Sequence, residues 1–193
     1  MIRLLFLAAF GLMGSASLGQ TAARVTPELK QGTMIEFELN AQGQTFPMYL
    51  TIASIGTEGI TFDYNIAGSM QGKFVNSKTN LEKGKSLNWD QPQPGEERKL
   101  PDEQTIAMVS STFFEDLKKN KKSSYDGTEL TLKEIPKGSE LMVGDKALDA
   151  IYAESSDGSV KYWILNNNQF PVILRIEGHP SGISMVCKEI KAP

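Results

Sequence analysis

Apolar and polar residues alternate with a period of two along much of the chain. Ile35, Phe37 and Leu39 alternate with glutamates, as in a strand that has one buried face. Residues 46–52 and 60–66 show the same alternation, and short turns containing glycine separate the three segments. This pattern predicts three consecutive antiparallel strands joined by tight turns.

The C-terminal third returns to alternating segments. Residues 151–154 and 160–165 flank a glycine-containing turn at residues 155–158, and two more apolar segments follow at residues 170–176 and 183–190. We count about ten strands along the chain. Because hairpins rather than strand–helix–strand units connect them, we predict a mainly β fold: an antiparallel meander that forms a curved sheet or half-barrel.

One short helix is predicted to pack on this sheet. Thr112 and Glu115 match a capping box, in which the two side chains satisfy free backbone N–H groups at a helix start. Phe113 and Leu117, four residues apart, give the helix an apolar face. The lysines of residues 118–122 suit the negative end of the helix dipole. We expect this lysine cluster to be a solvated helix end; contact with anionic lipid is the alternative.

In some segments the odd-numbered and the even-numbered positions are both apolar, so both faces of the strand are apolar. Tyr162 and Ile164 alternate with Trp163 and Leu165, and residues 172–174 are apolar throughout. The strand at residues 46–50 likewise includes Pro47 and Tyr49 between its core positions. An antiparallel sheet with one face in water alternates cleanly. We therefore predict that these strands are covered on both faces.

Three explanations of the double cover remain open. The helix and loops complete the core, or a partner subunit covers the second face. Alternatively, an apolar ligand fills a cavity that we predict to be lined by Phe62, Tyr64, Tyr152 and Trp163. These aromatic side chains offer large apolar area together with polar tips, which suits either a core or a ligand site.

The N-terminus predicts export. Arg3 precedes an apolar run over residues 4–13, and small residues follow. This is the pattern of a signal peptide, which we assign to residues 1–19 with cleavage before Gln20. The apolar run is shorter than the roughly 20 residues that a membrane-spanning helix needs. A short buried N-terminal helix is the alternative.

The remainder reads as one domain in the bacterial periplasm or outside the cell. We expect residues 20–31 to be a flexible lead-in. Residues 32–193 form a single β domain, because no linker divides them. No second long apolar run follows, so the mature chain is predicted not to span a membrane.

Composition narrows the classes of function. The net charge is −3, and the chain has one Cys and one His. An acidic chain lacks the basic face that nucleic-acid binding requires. A single Cys cannot form an internal disulfide, and one His leaves little for metal or triad chemistry.

No motif for nucleotide binding, serine hydrolysis or zinc hydrolysis is present. We expect His179 to be a turn residue and Cys187 to be a small buried hydrophobe. Two carboxylates can hydrolyse a glycoside, and Asp63 and Asp90 are the candidates, although both are expected to be solvated. We therefore predict no catalytic residue, no metal site and no cofactor.

The segment of residues 162–176, which reads YWILNNNQFPVILRI, resembles the C-terminal part of secreted bacterial envelope proteins. Those proteins are distantly similar to the curved-sheet, half-barrel carriers of lipoproteins. The resemblance implies an envelope location and a half-barrel shape. It carries no catalytic residue to this chain, and it implies a ligand only by analogy of fold.

Our leading hypothesis is a non-enzymatic envelope protein that binds an apolar ligand or a lipidated partner in its curved sheet. The second hypothesis is a structural or protein-interaction module of the envelope. The third is a hydrolase that depends on Asp63 and Asp90.

Overall fold

The computed structural model describes residues 24–193, which form sixteen strands and two helices. The predicted signal peptide and residues 20–23 of the predicted lead-in lie outside the described residues. The strands are β1 (Arg24–Val25), β2 (Met34–Ala41), β3 (Gln44–Gly56), β4 (Gly59–Ile66), β5 (Met70–Ser77), β6 (Ser86–Leu87), β7 (Glu97–Lys99), β8 (Gln104–Thr105), β9 (Lys122–Tyr125), β10 (Thr128–Lys133), β11 (Met142–Val143), β12 (Lys146–Leu148), β13 (Ala150–Ser155), β14 (Lys161–Leu165), β15 (Ile173–Glu177) and β16 (Ile183–Lys191). The helices are α1 (Lys78–Lys83) and α2 (Ser111–Asn120).

Eleven strands form one open sheet, in the order β7-β5-β4-β3-β2-β16-β15-β14-β13-β10-β9. The mainly β fold is confirmed, as is its arrangement in successive hairpins. The sheet is mixed rather than wholly antiparallel, because β7 runs parallel to β5. A parallel neighbour needs a long crossover, and α1 with the loop that follows it provides that connection.

The last strand joins the two halves of the sheet. β16 pairs with β2 on one side and with β15 on the other. The N-terminal meander of β2 to β5 thereby continues into the C-terminal strands. This pairing places the first and the last strand of the main sheet, in chain order, side by side in its middle.

Cross-strand partners share a face of a sheet, so the register defines two faces. We name one face after Phe37, a central residue of β2. One row across this face runs from Tyr162 through Ile176 and Met185 to Leu39, which lies two positions from Phe37 on the same side of β2. The Trp163 face, named in the same way, carries the neighbouring row. That row consists of Tyr152, Trp163, Arg175, Val186, Glu38 and Pro47.

The prediction of strands covered on both faces is confirmed for two segments and wrong for a third. Residues 162–165 and 172–174 are all buried. In β3, by contrast, Pro47 is exposed and Tyr49 is only half-buried. Their cross-strand partners are Glu38 and Glu36, and these carboxylates keep that part of the Trp163 face in water.

Two smaller sheets border the main one. β1 pairs in parallel with β12, which pairs with β11, and β6 pairs with β8. The described part of the predicted lead-in therefore contributes a short strand, and Val25 and Leu29 pack against the core.

The helix prediction needs two corrections. There is a second helix, α1, which begins at a capping box formed by Ser77 and Asn80. Thr112 does not cap α2, because the Ser110 side chain accepts the hydrogen bond from the Phe113 backbone N–H. Starting earlier gives α2 ten residues, and it packs against β9 and β10.

Candidate functional site

The four aromatic residues predicted to line one cavity lie on opposite faces of the sheet. Phe62 and Tyr64 belong to the Phe37 face, since Tyr64 pairs with Leu50 of the same face. Tyr152 and Trp163 pair with each other on the Trp163 face. The structure brings these residues together only as two separate pairs.

Each pair packs against neighbours of this chain. The Tyr64 ring stacks on Phe74 with 4.3 Å between centroids, and its hydroxyl donates to the Gln93 carbonyl at 2.9 Å. On the other face, the Arg175 guanidinium lies 4.6 Å from the centroid of the Trp163 ring. The Tyr152 hydroxyl donates to the Glu154 carboxylate. All four predicted residues are buried.

The Phe37 face nevertheless borders an apolar cavity of about 690 Å³. The floor of this cavity is formed by the sheet. Buried side chains from five strands supply it: Met48, Ile66, Phe74, Ile176 and Met185. Tyr64 lies on the same face as this floor and stacks on Phe74.

A loop that we call the Trp89 loop, residues 88–92, forms the opposite wall. Exposed polar residues occupy the mouth of the cavity: Gln42, Gln44, Asp90, Gln91 and Ser181. The cavity is therefore apolar inside and polar at its entrance, which is the usual construction of a small-molecule site.

Two residues that are distant in the sequence, Asp126 and His179, hold Trp89 and its loop in place. The Trp89 indole Nε1 donates to Asp126 Oδ2 at 2.5 Å. The Trp89 ring stacks on His179 with 4.4 Å between centroids. His179 Nε2 lies 3.0 Å from the same Asp126 oxygen, although the approach lacks hydrogen-bond geometry. We call Trp89, Asp126 and His179 the loop anchor.

Arg98 fixes the loop from its other side. Its guanidinium forms a two-point ion pair with Glu96, with N–O distances of 2.8 and 2.9 Å. It also donates to the backbone carbonyls of Asp90 at 2.7 Å and Gln91 at 3.1 Å. The pKa of Glu96 is lowered, first by the hydrogen bond from Arg98. Arg98 therefore holds the loop backbone while Glu96 balances its charge.

Asp126, His179 and Ser181 have the residue types of a catalytic triad, in the chain order Asp, His, Ser. Their geometry nevertheless favours a structural role. His179 Nδ1 lies 2.9 Å from Ser181 Oγ, but it also accepts the Ser181 backbone N–H at 3.1 Å. The Ile183 backbone N–H donates to Ser181 Oγ at 3.2 Å. A backbone donor therefore shares the only lone pair of Nδ1, and a second backbone donor occupies one of the two lone pairs of Ser181 Oγ.

The two candidate carboxylates of the hydrolase hypothesis lie apart. Asp63 is on the Trp163 face, where it is half-exposed and forms an ion pair with Lys73 at 3.6 Å. Asp90 is exposed at the cavity mouth across the sheet. The structure does not bring them together around one substrate site.

Cys187 is buried, as predicted. Burial raises the pKa of its thiol to about 12, which keeps it protonated at neutral pH. Among residues 24–193, no group of three or more His, Cys, Asp or Glu side chains could hold a metal ion.

Sequence reasoning missed the Trp89 loop and its anchor. The available signal was a tryptophan within a polar, proline-rich segment, where a large apolar side chain needs a partner. The partners Asp126 and His179 lie 37 and 90 positions further along the chain, and no local pattern links them.

No protein-family model matches the chain, and no curated protein matches it. The resemblance to secreted envelope proteins therefore stays a prediction. In the part of the chain that the structure describes, no helix is long and apolar enough to cross a membrane.

Proposed function

We propose that this is a non-enzymatic binding protein of the bacterial envelope, and that it holds an amphiphile with one apolar chain in the cavity between the Phe37 face and the Trp89 loop. The carrying observation is the cavity itself. Its volume of about 690 Å³ lies within the range of roughly 300–1,000 Å³ that is typical of ligand pockets.

The distribution of polarity supports an elongated ligand with two ends. The floor consists of buried Met, Ile and Phe side chains, while amides and hydroxyls line the mouth. Methionine and isoleucine side chains suit an alkyl chain, because contact with them removes apolar area from water. A polar end would stay at the mouth, where its hydrogen bonds remain accessible to water.

The loop anchor supports a preformed site. Trp89 lines the cavity while its indole N–H donates to Asp126. A wall that is already ordered before binding reduces the entropic cost of binding. The predicted signal peptide favours an envelope location, where membrane-derived amphiphiles are abundant.

A fluorescent, uncharged apolar probe, N-phenyl-1-naphthylamine, tests the proposal. The purified mature protein should bind it, and native mass spectrometry with lipid extraction should recover a co-purified amphiphile. Ala41→Trp places a large side chain at a position that lines the cavity and should weaken probe binding by at least about tenfold.

Ser54→Trp is the matched control, because Ser54 is exposed on β3 and does not line the cavity. It should leave the probe affinity unchanged. A protein that carries no amphiphile and binds the probe equally well with Trp at either position would refute the proposal.

Processing of the chain is tested separately. The intact mass of the protein recovered from the periplasm should correspond to a chain that begins at Gln20. Retention of residues 1–19 would contradict the predicted cleavage before Gln20, and absence of the protein from the periplasm would contradict the predicted export; neither result bears on the cavity proposal.

A further inference from the structure

The charges around the cavity differ from those expected for a fatty-acid site. Among the described residues that line it, Asp90 is the only charged one. Asp90 is exposed at the mouth, where the polar end of a ligand would lie. A carboxylate head group placed there would be repelled by a like charge.

The guanidinium that contacts this loop offers no compensation. Arg98 is paired at two points with Glu96. Its remaining contacts are with the Asn88 side chain and the carbonyls of Asp90 and Gln91. Because a carboxylate already neutralises Arg98 and loop oxygens occupy its donors, it is not available to an anionic head group.

The mouth instead offers neutral hydrogen-bonding groups. Gln42 and Gln44 are exposed beside the turn between β2 and β3, and Gln91 is exposed on the Trp89 loop. Each amide has both a donor and an acceptor, so together they match hydroxyl and ester groups.

From this charge distribution we infer that the ligand is a single-chain amphiphile with an uncharged, hydroxyl- or ester-bearing head group, such as an acylglycerol. The inference rests on the proposed function and specifies its ligand class. Discrimination arises because an anionic head would lie beside Asp90 without a cationic partner, whereas a glycerol head exchanges hydrogen bonds with water for those with amides.

Three probes with the same twelve-carbon chain test the inference: monolaurin, laurate and dodecylamine. Each is titrated as a competitor of N-phenyl-1-naphthylamine at a pH where the carboxylic acid and the amine are ionised. Monolaurin should bind at least about tenfold more tightly than laurate. Dodecylamine should not bind more tightly than monolaurin, because its ammonium offers no acceptor to the amides and Asp90 is an exposed carboxylate that already accepts a hydrogen bond from Asn88.

Asp90→Lys should strengthen laurate binding relative to monolaurin binding by about tenfold or more. Asp102→Lys is the control for net charge, since Asp102 is exposed and does not line the cavity. It should leave the order of the three probes unchanged.

Equal or tighter binding of laurate by the unmodified protein would overturn the inference, as would a preference for dodecylamine. Such results, with Ala41→Trp still blocking the probe, would leave the cavity proposal intact. If Ala41→Trp bound the probe as tightly as the unmodified protein, the proposed function itself would be refuted.

Discussion

Two buried tyrosines make different use of their hydroxyl groups. The Tyr125 hydroxyl lies 2.5 Å from Thr105 Oγ1 and donates to the Ser86 carbonyl at 3.3 Å. The Tyr162 hydroxyl has no hydrogen-bond partner among residues 24–193. Burial raises the pKa of both side chains, so both stay protonated. A buried hydroxyl contributes to stability only when it is bonded.

The same substitution should therefore have different effects at the two positions. Tyr125→Phe should lower the free energy of unfolding by about 1–2 kcal/mol, because it leaves the groups around Thr105 unsatisfied. Tyr162→Phe should change it by less than about 0.5 kcal/mol or raise it, because no bond is lost. Urea unfolding followed by tryptophan fluorescence measures both values. Equal losses would show that the Tyr162 hydroxyl has a partner in solution.

At the scale of elements, the start of α2 shows how a local motif can be displaced. Thr112 and Glu115 match a capping box, but Ser110 occupies the cap position. The Ser110 hydroxyl also donates to the Gly84 carbonyl at 2.6 Å, next to α1. A contact with another element therefore selects one cap among neighbouring candidates, and α2 buries Phe113, Phe114 and Leu117.

Two alanine substitutions distinguish the caps. Ser110→Ala should lower the free energy of unfolding by about 1–2 kcal/mol, because it removes the cap and the bond to Gly84. Thr112→Ala, at an exposed position on the same helix, should change it by less than about 0.5 kcal/mol. Thermal and urea unfolding provide the comparison. A larger decrease in the free energy of unfolding for Thr112→Ala than for Ser110→Ala would support the capping box that the sequence suggested.

At the scale of the whole molecule, stability depends on a strand from the end of the chain. β16 lies between β2 and β15, and the buried Cys187 pairs with Phe37 across that junction. Exposing this thiol requires separation of central strands of the sheet. Cys187 therefore reports the opening of the main sheet rather than local fraying.

We expect the native thiol to react at least about a hundredfold more slowly with a thiol reagent than the urea-unfolded chain does. Burial excludes the reagent, and a pKa near 12 leaves almost no thiolate at neutral pH. The time course of labelling by an aromatic disulfide measures both rates. Ser54→Cys combined with Cys187→Ala provides an exposed control, which should react rapidly in the native state. Rapid native labelling of Cys187 would contradict the closed junction.

Local patterns predicted much of the fold and little of the candidate site. Alternation predicted β2, β3 and β4, and the turn before β14. A strand with one buried and one solvated face has alternating apolar and polar residues, which can be recognised in the sequence. It did not predict that β7 runs parallel to β5, since strand order depends on long-range contacts. Phe62 and Trp163 carry the same apolar signal, yet they lie on opposite faces.

By itself, the sequence determined the mainly β class, the successive hairpins and the doubly buried character of residues 162–165. Each of these follows from interactions between residues that are close in the chain or from the burial that a single position requires. Only the tertiary structure decided which face borders a cavity and which loop closes it. Trp89, Asp126 and His179 form one anchor because the fold brings together segments that are far apart in the chain. Their spacing in the sequence does not predict this contact.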